Sequence, residues 1–110
     1  MTQDRSEVSK GVLRLDGQAA IVVGGGQTPG QTIGNGRATA ITYARAGARV
    51  LVADRDLDAA AATVAEITVE GGEAVPFHAD VTDEADIAAM VADTFERWGR
   101  LDILHNNVGI

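Results

Sequence analysis

Two aspartates and a pair of asparagines in this 110-residue chain stand where side chains hold ligands: Asp54, Asp80 and Asn106-Asn107. Each closes an apolar run. A carboxylate in that position accepts hydrogen bonds from two sugar hydroxyls at once, and it repels a phosphate attached to either. Ahead of them lies "IVVGGGQTPGQTIGNGRATA", whose glycines form two groups, Gly24-Gly25-Gly26 and Gly34-Asn35-Gly36. A strand entering a helix through such a turn points at the helix's first N–H groups, which are unpartnered and partly positive. A pyrophosphate can sit there if no side chain blocks the approach, and Gly34 and Gly36 leave that space. A glycine loop with no ligand is the ordinary alternative.

The second site supports the first. Asp54 lies 18 positions after Gly36, close to the ~20-residue offset of an acid that binds an adenosine ribose. It favours NAD over NADP, whereas the adjacent Arg55 would attract a 2′-phosphate. The alternative for Asp54 is a loop aspartate ahead of the next helix. Asp80 can accept from an adenine amino group with the Val81 backbone beside it; otherwise it helps cap the following helix, a task for which Thr82 is better suited. The amides of Asn106 and Asn107 can bridge a strand end to neighbouring backbone or to a ribose. His78 and His105 read as structural, with no second ligand at metal spacing.

These residues need elements to place them. "QAAIVVG", "ARVLVAD", "EAVPFHAD" and "LDILHNNVG" are short apolar runs rich in β-branched residues and predict four strands. Pro76 inside the third removes a ladder donor. Between them, "GRATAITYARAG" predicts a helix over 36–47 with Ala38, Ile41, Ala44 and Ala46 inward. "DLDAAAATVAEITVEGG" predicts a second, with Leu57, Ala60 or Ala61, Val64 and Ile67 inward and Gly71-Gly72 ending it. "TDEADIAAMVADTFERWG" predicts a third, capped by Thr82, with a buried stripe of Ile87, Val91, Phe95 and Trp98 and Gly99 closing it. The order β-α-β-α-β-α-β implies an α/β fold: a parallel sheet in strand order 3-2-1-4, part of a doubly wound architecture.

Bulk properties narrow the classes. A net charge of −7 argues against nucleic acid and anionic membrane as partners. No apolar run approaches the ~20 residues of a membrane span. There is no cysteine, which removes disulfides and thiolate metal sites and fits a reducing, cytoplasmic setting. Residues 1–14 read as a polar tail and 15–110 as the folded unit.

Taken together, "DGQAAIVVGG", "GNGRATA", "VADRD", "ADVTD" and "GRLDILHNNVG" resemble the short-chain dehydrogenase/reductase family, from Leu15 to Ile110. The resemblance implies a Rossmann fold, a nicotinamide cofactor, a small alcohol or carbonyl substrate and, at full length, a homo-oligomer. It makes Gly24, Gly34 and Gly36 the turn glycines, Asp54 the ribose acid, Asp80-Val81 the adenine pair, and Asn106-Asn107 the start of an Asn-Asn-Ala-Gly motif. Three departures stand out. Val23 replaces a threonine, Val108 replaces the motif's alanine, and Gly24 and Gly34 are ten positions apart where the family has four, which makes six residues extra. Pairing Gly30 with Gly34 and Gly36 would restore the spacing, but Gly24 directly follows the strand.

The family's serine and Tyr-x-x-x-Lys pair find no counterpart. The only tyrosine is Tyr43, followed four positions later by Gly47, and the only lysine is Lys10. The chain therefore reads as the cofactor-binding half of an NAD-preferring oxidoreductase, without catalytic residues and inactive alone. A fourth strand with an unpaired edge and one sheet face under a single helix are expected to make it fold poorly by itself. Two other readings are an S-adenosylmethionine-dependent methyltransferase, which also uses a glycine turn followed by two acids, and a non-catalytic truncated nucleotide binder.

Overall fold

A computed structural model describes residues 14–24 and 35–106 of the chain. Four strands and three helices alternate: β1 (Ala19–Val23), α1 (Asn35–Arg45), β2 (Arg49–Asp54), α2 (Leu57–Val69), β3 (Glu73–His78), α3 (Glu84–Trp98) and β4 (Ile103–Asn106). All three strand pairings are parallel, and the sheet order is β3-β2-β1-β4. The expected fold class is thus what the chain adopts. The strands are shorter than the apolar runs suggested, because each run also includes its flanking turn residues.

The core follows from strand alternation. Val22, Val50 and Val52 point to one face, where Ala40, Ile41, Ala60 and Ile67 of α1 and α2 meet them. Ile21, Val23, Leu51 and Ala53 point to the other, under Met90 of α3. β1 and β2 are buried on both faces, as central parallel strands must be. Full burial of a side chain such as Leu51 contributes about 1.5–3 kcal/mol. Pro76 is tolerated because β3 is an edge strand.

The helix stripes differ from expectation. On α1, Gly36, Ala40 and Ile41 are buried, as is Ala46 just past its end, while Ala38 is exposed. On α2, Ala60 and Ile67 are buried but Leu57 is 45% exposed. The largest difference is α3, where Met90 and Thr94 face the sheet and Ile87 and Phe95 are 36% and 49% exposed. Thr94 is not a burial penalty, since its hydroxyl donates to the Met90 carbonyl one turn back at 2.9 Å.

The helix ends have clear causes. Asp56 caps α2, its side chain accepting from Ala59 N. Asp83, not Thr82, caps α3, accepting from Ala85 N at 2.8 Å. The chain enters α3 one residue later than the threonine would require, and Thr82 is engaged elsewhere. Gly99 ends α3 in the left-handed region at φ 74°. Across the outer surface of α1 and α2, Arg37 pairs with Glu66, and Arg45 with Glu70 through two contacts of 2.7 and 2.8 Å. At the amino edge of the sheet, Asp102 accepts from Ala19 N at 2.9 Å and so ties the entry of β4 to the start of β1.

Candidate functional site

The carboxyl ends of β1, β2 and β3 lie side by side, and a cleft of about 300 Å³ opens there. Its lining is Val23, Gly24, Asp54, Arg55, Ala79, Asp80, Val81 and Thr82. Five of the residues singled out from the sequence meet in this one place: Gly24, Asp54, Arg55, Asp80 and Val81. In open α/β sheets, ligands bind in the crevice beyond the strands' carboxyl ends.

Gly24 leaves β1 at φ 76°, a backbone conformation in the left-handed region that glycine adopts without steric cost. Its N–H still donates to the Ala53 carbonyl at 2.7 Å, so the turn starts while paired to β2. Gly36 is buried in the first turn of α1. Asn35 is the first residue of that helix. Gly34, Asn107 and the extra turn segment lie outside the described residues.

Asp54 ends β2, half-buried, and its Oδ1 accepts from Asp56 N at 2.9 Å. That contact fixes the carboxylate at the cleft wall and leads into the Asp56 cap, so the loop reading and the site reading of Asp54 are compatible. Arg55 is exposed beside it. Asp80 is held from both sides. Its backbone N–H donates to Asp86 Oδ2 at 2.9 Å, and its Oδ1 accepts from Thr82 N at 2.9 Å and Thr82 Oγ1 at 2.6 Å. These bonds hold the Asp80 carboxyl below its ordinary value, first through the Thr82 hydroxyl, then the Thr82 amide, with Arg55 and His78 adding charge attraction. Asp80 is therefore a charged acceptor at neutral pH.

Asn106 ends β4, paired in register with Val23, but it is not among the residues that line the cleft. His105, half-buried, sits edge-on to Tyr43 with ring centroids 6.4 Å apart. That is the packed role expected for it. His78 is exposed rather than packed. Two contributors were not legible as such. By type Thr82 suits a helix cap, although an aspartate two residues before a threonine is the signature of a local side-chain turn. Asp86 has the signal of an acid in a helix's first turn. Among the described residues no group of three His, Cys, Asp or Glu could hold a metal ion, and no helix is long and apolar enough to cross a membrane.

Comparison with known proteins agrees with this fold. Residues 18–110 match the family described as short chain dehydrogenase. The chain is 46% identical over 98 residues to a sorbitol dehydrogenase of Cereibacter sphaeroides, covering 89% of this chain and 35% of that protein. A Burkholderia xenovorans structure described as a short-chain dehydrogenase/reductase superposes with a TM-score of 0.82 at 46% identity, covering 88% of this chain and 38% of that one. A 7α-hydroxysteroid dehydrogenase complexed with NADH and 7-oxo glycochenodeoxycholic acid superposes with a TM-score of 0.77 at 40% identity, covering 86% and 35% respectively. The chain belongs to the short-chain dehydrogenase family, a family of oxidoreductases that bind nicotinamide cofactors. It spans about a third of the length of the relatives it matches. The methyltransferase reading finds no support among these relatives.

Proposed function

We propose that this chain is the cofactor-binding portion of an NAD-preferring dehydrogenase acting on a small alcohol or carbonyl compound. The observation that carries the reading is the meeting of Gly24, Asp54 and Asp80 in one cleft at the carboxyl edge of a parallel sheet. Its volume stands at the lower end of the roughly 300–1,000 Å³ of ligand pockets, which suits an adenosine moiety rather than a whole dinucleotide. The residues also fit the group chemically. Asp54 would accept from both hydroxyls of an adenosine ribose. Asp80, with Oδ1 engaged by Thr82, would offer Oδ2 to the adenine amino group, and Val81 would lie against the base. Gly24 would begin the turn that lets a pyrophosphate approach the start of α1, with Gly34, Asn35 and Gly36 around it. Asn106 and Asn107 would support the adjoining strand end.

Arg55 bears on the choice of cofactor, because it brings a positive charge to the place where a 2′-phosphate would lie. The Asp54 carboxylate opposes that phosphate, and we read the balance as favouring NAD. When bound, the nicotinamide supplies the hydride acceptor or donor. The 110 residues carry no serine and Tyr-x-x-x-Lys set in position to move the accompanying proton. We therefore read residues 15–110 as the first half of such a domain, inactive alone, and as cytoplasmic and homo-oligomeric in the context of a whole enzyme.

Calorimetric titration with NADH, NADPH and S-adenosylmethionine tests the reading. The expected result is binding of NADH, weaker binding of NADPH and none of S-adenosylmethionine. Tighter binding of NADPH would reverse the cofactor assignment. Absence of any dinucleotide binding, or turnover of an alcohol panel by the chain alone, would overturn the reading itself.

A further inference from the structure

Among the described residues, β3 has a neighbouring strand only on the β2 side. An edge strand leaves alternate N–H groups without a ladder partner. Ala79 N still donates to the Asp54 carbonyl at 3.1 Å, so the next N–H, that of Asp80, turns away from β2. It is met there by α3, where Asp86 Oδ2 accepts it at 2.9 Å. The acceptor is ionised and half-buried, which makes this one of the stronger kinds of hydrogen bond.

Asp86 is the third residue of α3, a position from which an acid ordinarily reaches back to the N–H of the capping residue. Here that N–H is already engaged, because Asp83 N donates to the Asp80 carbonyl at 2.9 Å. Asp86 passes over the cap and takes Asp80 N–H instead. Asp80 is thus held at three atoms: its N–H by Asp86, its carbonyl by Asp83 N, and its Oδ1 by the amide and hydroxyl of Thr82. Oδ2 is the polar atom left over. Thr82 sets the carboxylate relative to its own main chain, and Asp86 sets that main chain relative to α3. Only the two together give Oδ2 a direction within the cleft. Asp80 lines the cleft and Asp86 does not.

We propose that Asp86 is a positioning residue for base recognition: from the first turn of α3 it holds the Asp80 main chain so that Oδ2 of Asp80 aims at the exocyclic amino group of a bound adenine. The inference rests on the reading of Asp80 as the adenine acceptor. A hydrogen bond weakens steeply once its angle is lost, so a small turn of the Ala79–Asp80 peptide removes the preference for an amino group while the ribose contact at Asp54 persists.

The test is calorimetric titration of the 110-residue chain with NADH and with reduced nicotinamide hypoxanthine dinucleotide, which differ only in the 6-amino or 6-oxo group of the base. The parent chain should prefer NADH by about ten-fold, as expected for a hydrogen bond to a charged acceptor. Asp86→Ala should cut that preference to about two-fold or less. Asp86→Asn, whose amide oxygen can still accept from Asp80 N–H, should keep it. Asp86→Glu shifts the carboxylate by one methylene but keeps a favoured residue at the third helical position; it should retain the helical circular dichroism and lose the preference, and it carries the test if Asp86→Ala does not fold. A purely structural role would weaken both nucleotides equally, so an unchanged ratio in the folded variants would overturn the proposal. Loss of the preference in Asp86→Asn would assign the effect to charge and overturn it as well. A parent chain that binds both nucleotides equally, or neither, would instead overturn the reading of Asp80 on which the proposal stands.

Discussion

Thr82 donates twice to one oxygen of Asp80, through its amide at 2.9 Å and its hydroxyl at 2.6 Å. Two residues apart in sequence, they form a closed local turn at the mouth of the cleft, which keeps the Asp80 carboxylate charged and fixed in direction. Thr82→Val keeps the shape and removes the hydroxyl. The Asp80 pKa should then rise toward its ordinary value, as measured by carboxyl-carbon NMR titration, and NADH affinity should fall several-fold. An unchanged titration would show that the hydroxyl does not set the charge.

Gly24 tests the turn from the backbone side. At φ 76° an alanine would place its Cβ against the following carbonyl, at a cost of roughly 1–2 kcal/mol. Gly24→Ala should lower the unfolding free energy by that amount, read as a lower urea midpoint at unchanged m, and also weaken NADH binding, because the turn starts at the cleft. Full retention of both would favour a turn that begins later, at Gly30.

Acid sensitivity should be traceable to Asp102. The Arg100 guanidinium, then the Ala19 amide, hold its carboxyl below the ordinary 3.8. A depressed folded-state value means the stabilisation is present above 3.8 and is lost as pH falls through the lower folded value. Asp102→Asn should therefore be less stable than the parent at neutral pH. The gap should narrow as pH drops below about 3.8 in paired denaturation series.

Much of this molecule is legible in its sequence, for a physical reason. Parallel strands buried on both faces must be apolar throughout, and turns between them need Gly, Asp or Asn, so strand order and the acids at the strand ends follow from the pattern. What the pattern could not separate was an apolar helix position from a buried one. Ile87 and Phe95 keep the four-residue step of Val91, yet they are left exposed because Met90 and Thr94 are the residues turned to the sheet. Likewise Thr82 and Asp83 are both good caps by type. Only the path of the chain frees Thr82 to bind Asp80 and leaves the cap to Asp83.

The central claim is that the cleft at the ends of β1, β2 and β3 holds the adenosine half of NAD. Amide NMR titration of the chain with NADH addresses it most directly. The account predicts shifts concentrated at Gly24, Asp54, Arg55, Asp80 and Val81, lost in Asp54→Ala. Shifts centred instead on the outer groove of Arg37, Ile41 and Arg45 between α1 and α2, with the cleft amides unmoved, would contradict it.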